Sequence, residues 1–154
     1  MHTHVVIGTL CAVLGTGVVA SAHAASTDLP AGPIRDRHTL MEGIGKQAKI
    51  IGDAVKAGNT APVAAAAEQI RTDAGKILGL FPPGSTDPKS RAKAEIWTNW
   101  ADYSALVMRL QTDAGALAAA AHAQGDVKGA ANTMFGACKS CHDKFREPEK
   151  QKGP

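Results

Sequence analysis

Ile34, Met41, Ile44, Ala48, Ile51 and Val55 recur at gaps of seven, three and four, the spacing that puts side chains on one face of an α-helix. Three further segments repeat the pattern. Residues 60–79 carry Val63, Ala67, Ile70, Ala74 and Ile77. Residues 94–123 carry Ile96, Trp100, Tyr103, Val107, Leu110, Ala114, Leu117 and Ala121, and residues 127–145 carry Val127, Ala131, Met134, Cys138, Cys141 and Phe145. Sustained period-two alternation occurs nowhere in the chain, so no strand is expected. Four such segments predict an all-α fold, an antiparallel up-down-up-down four-helix bundle.

The punctuation agrees. Pro33 suits the first turn of a helix over 33–57, and Gly58-Asn59 stops it. Gly79 and the run Phe81-Pro82-Pro83-Gly84 end the second helix. Gly125 closes the third, and the short side chain of Asp126 is placed to accept from the free N–H groups of the fourth. The polar stretch STDPKSRAK links helices two and three, where a surface loop is tolerated. The closing residues, EPEKQKGP, read as a frayed end.

The first 24 residues hold no Lys, Arg, Asp or Glu, and an apolar run over 5–20 leads into Ala22-His23-Ala24. That is the layout of a secretory signal peptide. The run is shorter than the ~20 residues of a membrane-spanning helix, so stable membrane insertion is not expected. The expected organisation is a cleaved leader over 1–24 and one domain over 25–154, exported to the periplasm. Cys11 leaves with the leader, and Cys138 and Cys141 remain. One C-x-x-C pair is not a disulfide scaffold.

The formal charge of +3 is mild and spread along the chain, which argues against nucleic acid as a partner. Aromatics make up only 4% of residues while alanine is abundant. A core built this way either packs its helices very closely or has its middle filled by something else.

Residues 137–146, ACKSCHDKFR, restrict the chemistry. Cys138 and Cys141 share a helix face, and His142 projects about 100° around from Cys141. Two thiols at this separation can each bond one vinyl group of a haem, and the adjacent imidazole can reach the iron as its proximal ligand; C-x-x-C-H is the attachment signal of a c-type haem. A thioredoxin-like pair wants a βαβ setting. A zinc site wants further Cys or His ligands, and only His38 and His122 remain outside the leader. The expected cofactor is one haem c, covalent through two thioethers at Cys138 and Cys141, and it would also account for the small side chains.

In this setting the chain resembles the cytochrome c′ family, the class II c-type cytochromes, over residues 34–146. The likeness is carried by Arg37 four residues before Met41, by Ile96-Trp97 near the start of helix three, and by CKSCHDKFR. The resemblance implies a haem-propionate contact for Arg37. Phe145 and Arg146 match the aromatic and the Arg that follow the family's haem histidine. Arg146 is four residues past His142, on the same helix face, and its guanidinium can disfavour added positive charge there; a solvated charge near a helix C-terminus is the alternative.

Members of the family differ at the sixth iron position. A bulky apolar residue leaves it open to nitric oxide or carbon monoxide; a methionine from helix one closes it, and the protein then carries electrons. The resemblance puts Met41 at that position, and its place on the apolar stripe points it inward. The expected function is a periplasmic carrier of single electrons through a six-coordinate His142/Met41 haem. The alternative is a five-coordinate, high-spin protein that binds nitric oxide or carbon monoxide.

Met134 is one turn before Cys138 and reads as core, Met108 lies off its stripe, His38 is one turn ahead of Met41, and His122 reads as surface. No Ser-His-Asp or paired-carboxylate arrangement competes, so an enzyme is not expected. The expected partners are soluble or membrane redox proteins, with Lys139 and Lys144 as candidate docking charges. The resemblance also allows a homodimer through helices one and two, where the alanines of 64–67 permit close packing.

Overall fold

A computed structural model describes residues 29–148; the expected leader and the last six residues lie outside that range. Five α-helices follow in order: α1 (Pro33–Lys56), α2 (Val63–Ile77), a short α3 (Glu95–Thr98), α4 (Trp100–His122) and α5 (Val127–Phe145). A 3-10 turn, Leu78–Leu80, extends α2. The four long helices form the expected antiparallel ring, in which α2 packs most extensively on α4, and α1 and α5 meet over the shortest stretch. Among the described residues there is no strand, only one isolated antiparallel bridge between Ala92 and Arg146.

Local chemistry sets the helix ends. Gly58 has a φ of 68° and donates to the Val55 carbonyl at 3.2 Å, while Asn59 donates to that of Ala54 at 2.9 Å. This pair of bonds closes a helix through a left-handed residue. The same motif ends α4, with Gly125 donating to Ala120 O at 2.8 Å. There the left-handed residue is Gln124, at φ 53°, and not the glycine that the sequence suggested. Asp126 caps α5 as expected, its carboxylate accepting from the Gly129 N–H at 2.8 Å.

The third segment is not one helix over 94–123. Asn99 breaks it at φ −119°, ψ 43°. Its side-chain amide donates at 3.2 Å to the Glu95 carbonyl, which also accepts the Asn99 backbone N–H at 2.9 Å. Beside the break Trp100 is 39% exposed, whereas Ile96 and Tyr103, seven residues apart on either side of it, are both buried at 2% exposure. Trp100 is therefore not the core residue that unbroken periodicity implies.

Val63, Ala67, Ile70, Ala74 and Ile77 of α2 are all buried, as are Ala114, Leu117 and Ala118 of α4. A Cβ added at Gly75 would come within 2.9 Å of Gln111 Nε2, and one at Gly115 within 3.0 Å of Arg71 Cδ. Small residues thus let α2 and α4 approach closely. Ala66 and Ala67, half of the segment expected to serve a dimer, are buried inside the bundle. Each fully buried Ile or Leu contributes roughly 1.5–3 kcal/mol, so this side of the ring holds much of the stability. No helix among the described residues is long and apolar enough to cross a membrane.

Candidate haem site

The looser side of the ring holds the motif. A Cβ on Gly52 of α1 would lie 4.0 Å from the Phe135 ring of α5, which registers the two antiparallel helices. From that level Met41 is eleven residues toward the start of α1 and His142 seven toward the end of α5. At 1.5 Å per residue these are about 16 and 10 Å along the same direction. Met41 and His142 therefore belong to one end of the bundle.

α5 buries Ala131, Met134, Ala137 and Phe145. Cys138 and Cys141, on the same face, pack against this core but are only half-buried, and both are free thiols. Burial pushes both thiols up, Cys141 to about 11 with Cys138 adding to it. His142 is half-buried as well. Burial holds its pKa below the ordinary value, and the charges of Arg146 and Arg91 lower it further, with Asp143 opposing them. The neutral imidazole so favoured is the form that ligates a metal.

Tyr103 of α4 joins the two sides electrostatically. Burial pushes its hydroxyl far up; the neighbouring Cys141 raises it further, and the cation of Arg37 opposes. Its ring packs on Phe81 at 5.0 Å and on Phe145 at 5.4 Å.

Arg37 is buried, at 4% exposure. Its guanidinium donates to Ser85 Oγ at 2.8 Å, to the Ser85 carbonyl at 2.7 Å and to Ser90 Oγ at 3.1 Å. It also lies 4.7 Å from the centroid of the Phe81 ring. These hydrogen-bond partners are all neutral, and a buried cation in such a setting suits an anionic group nearby. Burial lowers its pKa, while Tyr103 and Asp87 pull it back up. Sequence reasoning gave no site role to Phe81, Ser85, Ser90 or Arg91, which sit on the connection after α2 with no periodicity to read.

Of the three described methionines, Met134 is wholly buried and Met108 is 54% exposed. Met41 is half-buried and packs against the core from α1. His38 Nδ1 is buried without a hydrogen-bond partner, 3.9 Å from Glu42 Oε1. His122 is an exposed residue at the end of α4. Among the described residues no group of three or more His, Cys, Asp or Glu could hold a metal ion by itself. The donor set at the end of α5 is thus two thiols and one imidazole beside a partly open apolar face, which fits a thioether-bound haem better than zinc.

Comparison with known proteins agrees. The family described as Cytochrome C′ matches residues 32–146. The chain is 34% identical to the cytochrome c′ of Allochromatium vinosum over 153 residues, 93% of this chain and 97% of that protein. It is 34% identical to cytochrome c-556 of Agrobacterium fabrum over 120 residues, 75% of this chain and 82% of that protein. A solved cytochrome c′ described as having a ligand-controlled dimer dissociation superposes with a TM-score of 0.69 at 31% identity, covering 75% of this chain and 95% of its own. Proteins of this family carry a covalently attached haem c, and Cys138 and Cys141 fit its attachment motif. With the family's pattern running from the cap of α1 to the residue after α5, the chain is a c-type cytochrome and belongs to the cytochrome c′ family.

Proposed function

We propose that this cytochrome is a periplasmic carrier of single electrons whose haem iron is held by His142 and Met41. The observation that carries the reading is the environment of Met41. It is the one described methionine that is neither sealed in the core nor turned to solvent, and it sits at the same end of the bundle as His142. When bound, the haem supplies one-electron redox chemistry, and a thioether ligand raises its potential relative to bis-histidine ligation.

The residues divide the remaining work. Cys138 and Cys141 fix the cofactor through two thioethers. Arg37 would hold a propionate with its planar donors, and burial, with the Arg146 charge adding to it, favours the neutral His142 imidazole. The partners are redox proteins that dock weakly and briefly. A homodimer is proposed by likeness to the solved relative whose dimer dissociation is controlled by a ligand.

The absorption spectrum of the reduced protein, with and without carbon monoxide, tests the reading. A six-coordinate spectrum that resists the gas is expected. Met41→Leu is expected to give a high-spin spectrum that shifts promptly on adding it. A prompt shift in the unsubstituted protein would replace this reading with the five-coordinate, gas-binding one.

A further inference from the structure

The connection between α2 and α4 touches both sides of the haem site. On the α1 side, Ser85 and Ser90 accept the three hydrogen bonds from Arg37, one turn before Met41. On the α5 side, Lys93 N–H donates to the Phe145 carbonyl at 3.0 Å and Glu147 N–H to that of Arg91 at 2.7 Å. Ala92 pairs with Arg146 between them.

Ser90 joins the two ends. Its hydroxyl oxygen accepts from Arg37 at 3.1 Å and from the Ala92 N–H at 3.3 Å. Arg146, the bridge partner of Ala92, donates its own N–H to the His142 carbonyl at 3.0 Å. The backbone pairing of residues 91–93 with 145–147 thus joins the segment that holds Arg37 to the end of α5 just after His142. The connection is itself stiff: the Asp87 carboxylate accepts from the Lys89 N–H at 2.8 Å, and the Asp87 carbonyl accepts from Ser90 at 2.9 Å. The Trp97 indole N–H donates to the carbonyls of Phe81 and Pro82.

We infer that Ser85 and Ser90 are positioning residues for the sixth coordination site, clasping the helix that carries Met41 to the strand-like end of α5 that follows His142. This rests on Met41 as the sixth ligand. α1 and α5 touch each other over only a short stretch, so this clasp is a further link between them at the haem end, beside the packing of α1 on α2 and of α5 on α4. Each bond from a buried guanidinium is charge-assisted, and losing one such bond changes an opening equilibrium by about tenfold. Met41 would leave the iron more often once the clasp is loosened.

The test uses the haem-loaded protein and the variants Ser85→Ala/Ser90→Ala, Ser90→Ala and Ser90→Thr. All three leave Arg37 and its charge in place, which separates the clasp from any role of Arg37 toward a propionate. The double variant is expected to keep a six-coordinate reduced spectrum but to bind carbon monoxide at least about tenfold faster. Amide hydrogens over 84–92 should exchange faster as well. Ser90→Ala alone should move both readouts in the same direction, which covers a double variant that fails to fold, and Ser90→Thr should restore them. Association within twofold of the unsubstituted protein, with unchanged exchange, overturns the proposal. Prompt gas binding by the unsubstituted protein overturns the Met41 reading and the positioning role with it, and faster exchange in the variants would then show a clasp without that role.

Discussion

The Tyr103 ring meets the Phe145 ring edge-on at a centroid distance of 5.4 Å, tying the start of α4 to the last turn of α5, one turn beyond Cys141. Both rings are buried, at 2% and 3% exposure. Aromatic pairs favour this geometry, and truncating one leaves a cavity beside the other. Phe145→Ala is expected to destabilise the haem-loaded protein by about 3–5 kcal/mol. Denaturant titration checks it; a loss of under roughly 0.5 kcal/mol, the size of a surface substitution, would mean that the ring pair does not hold α5 in place.

Why the burial of Phe145 was legible in the spacing and that of Arg37 was not follows from what periodicity measures. Phe145, Met134 and Ile70 are buried because a helix repeats its phase, and phase is written in spacing. The helix breaks at Asn99, and beside the break Trp100 falls outside where unbroken counting puts it inside. Arg37 looks like an ordinary helix charge until residues 48 and 53 positions later arrive to accept its protons. The Cys138, Cys141 and His142 set was legible because covalent attachment needs fixed local spacing. Which residue faces His142 across the iron depends on how two distant helices register, and local spacing is silent on that.

Gln124 occupies a backbone conformation that costs an L-residue about 1 kcal/mol or more. Its side chain is exposed at the end of α4, so nothing in the core depends on it. Gln124→Gly should therefore stabilise the protein by about 0.5–1 kcal/mol, the steric relief being partly offset by glycine's greater entropy when unfolded. A rise in the denaturation midpoint at unchanged slope is the expected sign. A fall would indicate that Gln124 makes a contact worth more than its strain.

In the folded chain before haem is attached, burial keeps the Cys138 and Cys141 thiols protonated at neutral pH. Since only the thiolate is nucleophilic, alkylation by iodoacetamide should be slow near pH 7. It should speed up as the pH rises toward the value of about 11 for Cys141. In the loaded protein, Cys138→Ala or Cys141→Ala alone should leave the haem resistant to acid–acetone extraction through the remaining thioether. One vinyl then stays conjugated and shifts the reduced absorption band to longer wavelength. The double variant should release its haem. Release from the unsubstituted protein would rule out covalent attachment through this pair.

Arg146 stands at the end of α5 in extended conformation, exposed, with its charge felt at His142. Reducing a haem adds one negative charge to the site, so a nearby cation favours the ferrous state. Arg146→Ala should thus lower the reduction potential, by an amount on the order of tens of millivolts for a partly solvated charge. Arg146→Lys keeps the charge and should keep most of the potential. Because the guanidinium is exposed, the difference should shrink as salt rises from about 0.01 to 1 M and the screening length falls from about 30 to 3 Å. Redox titration at the two ionic strengths reads both effects. A potential that falls equally in Arg146→Lys would trace the change to the guanidinium group itself and not to its charge, because the charge would have been preserved.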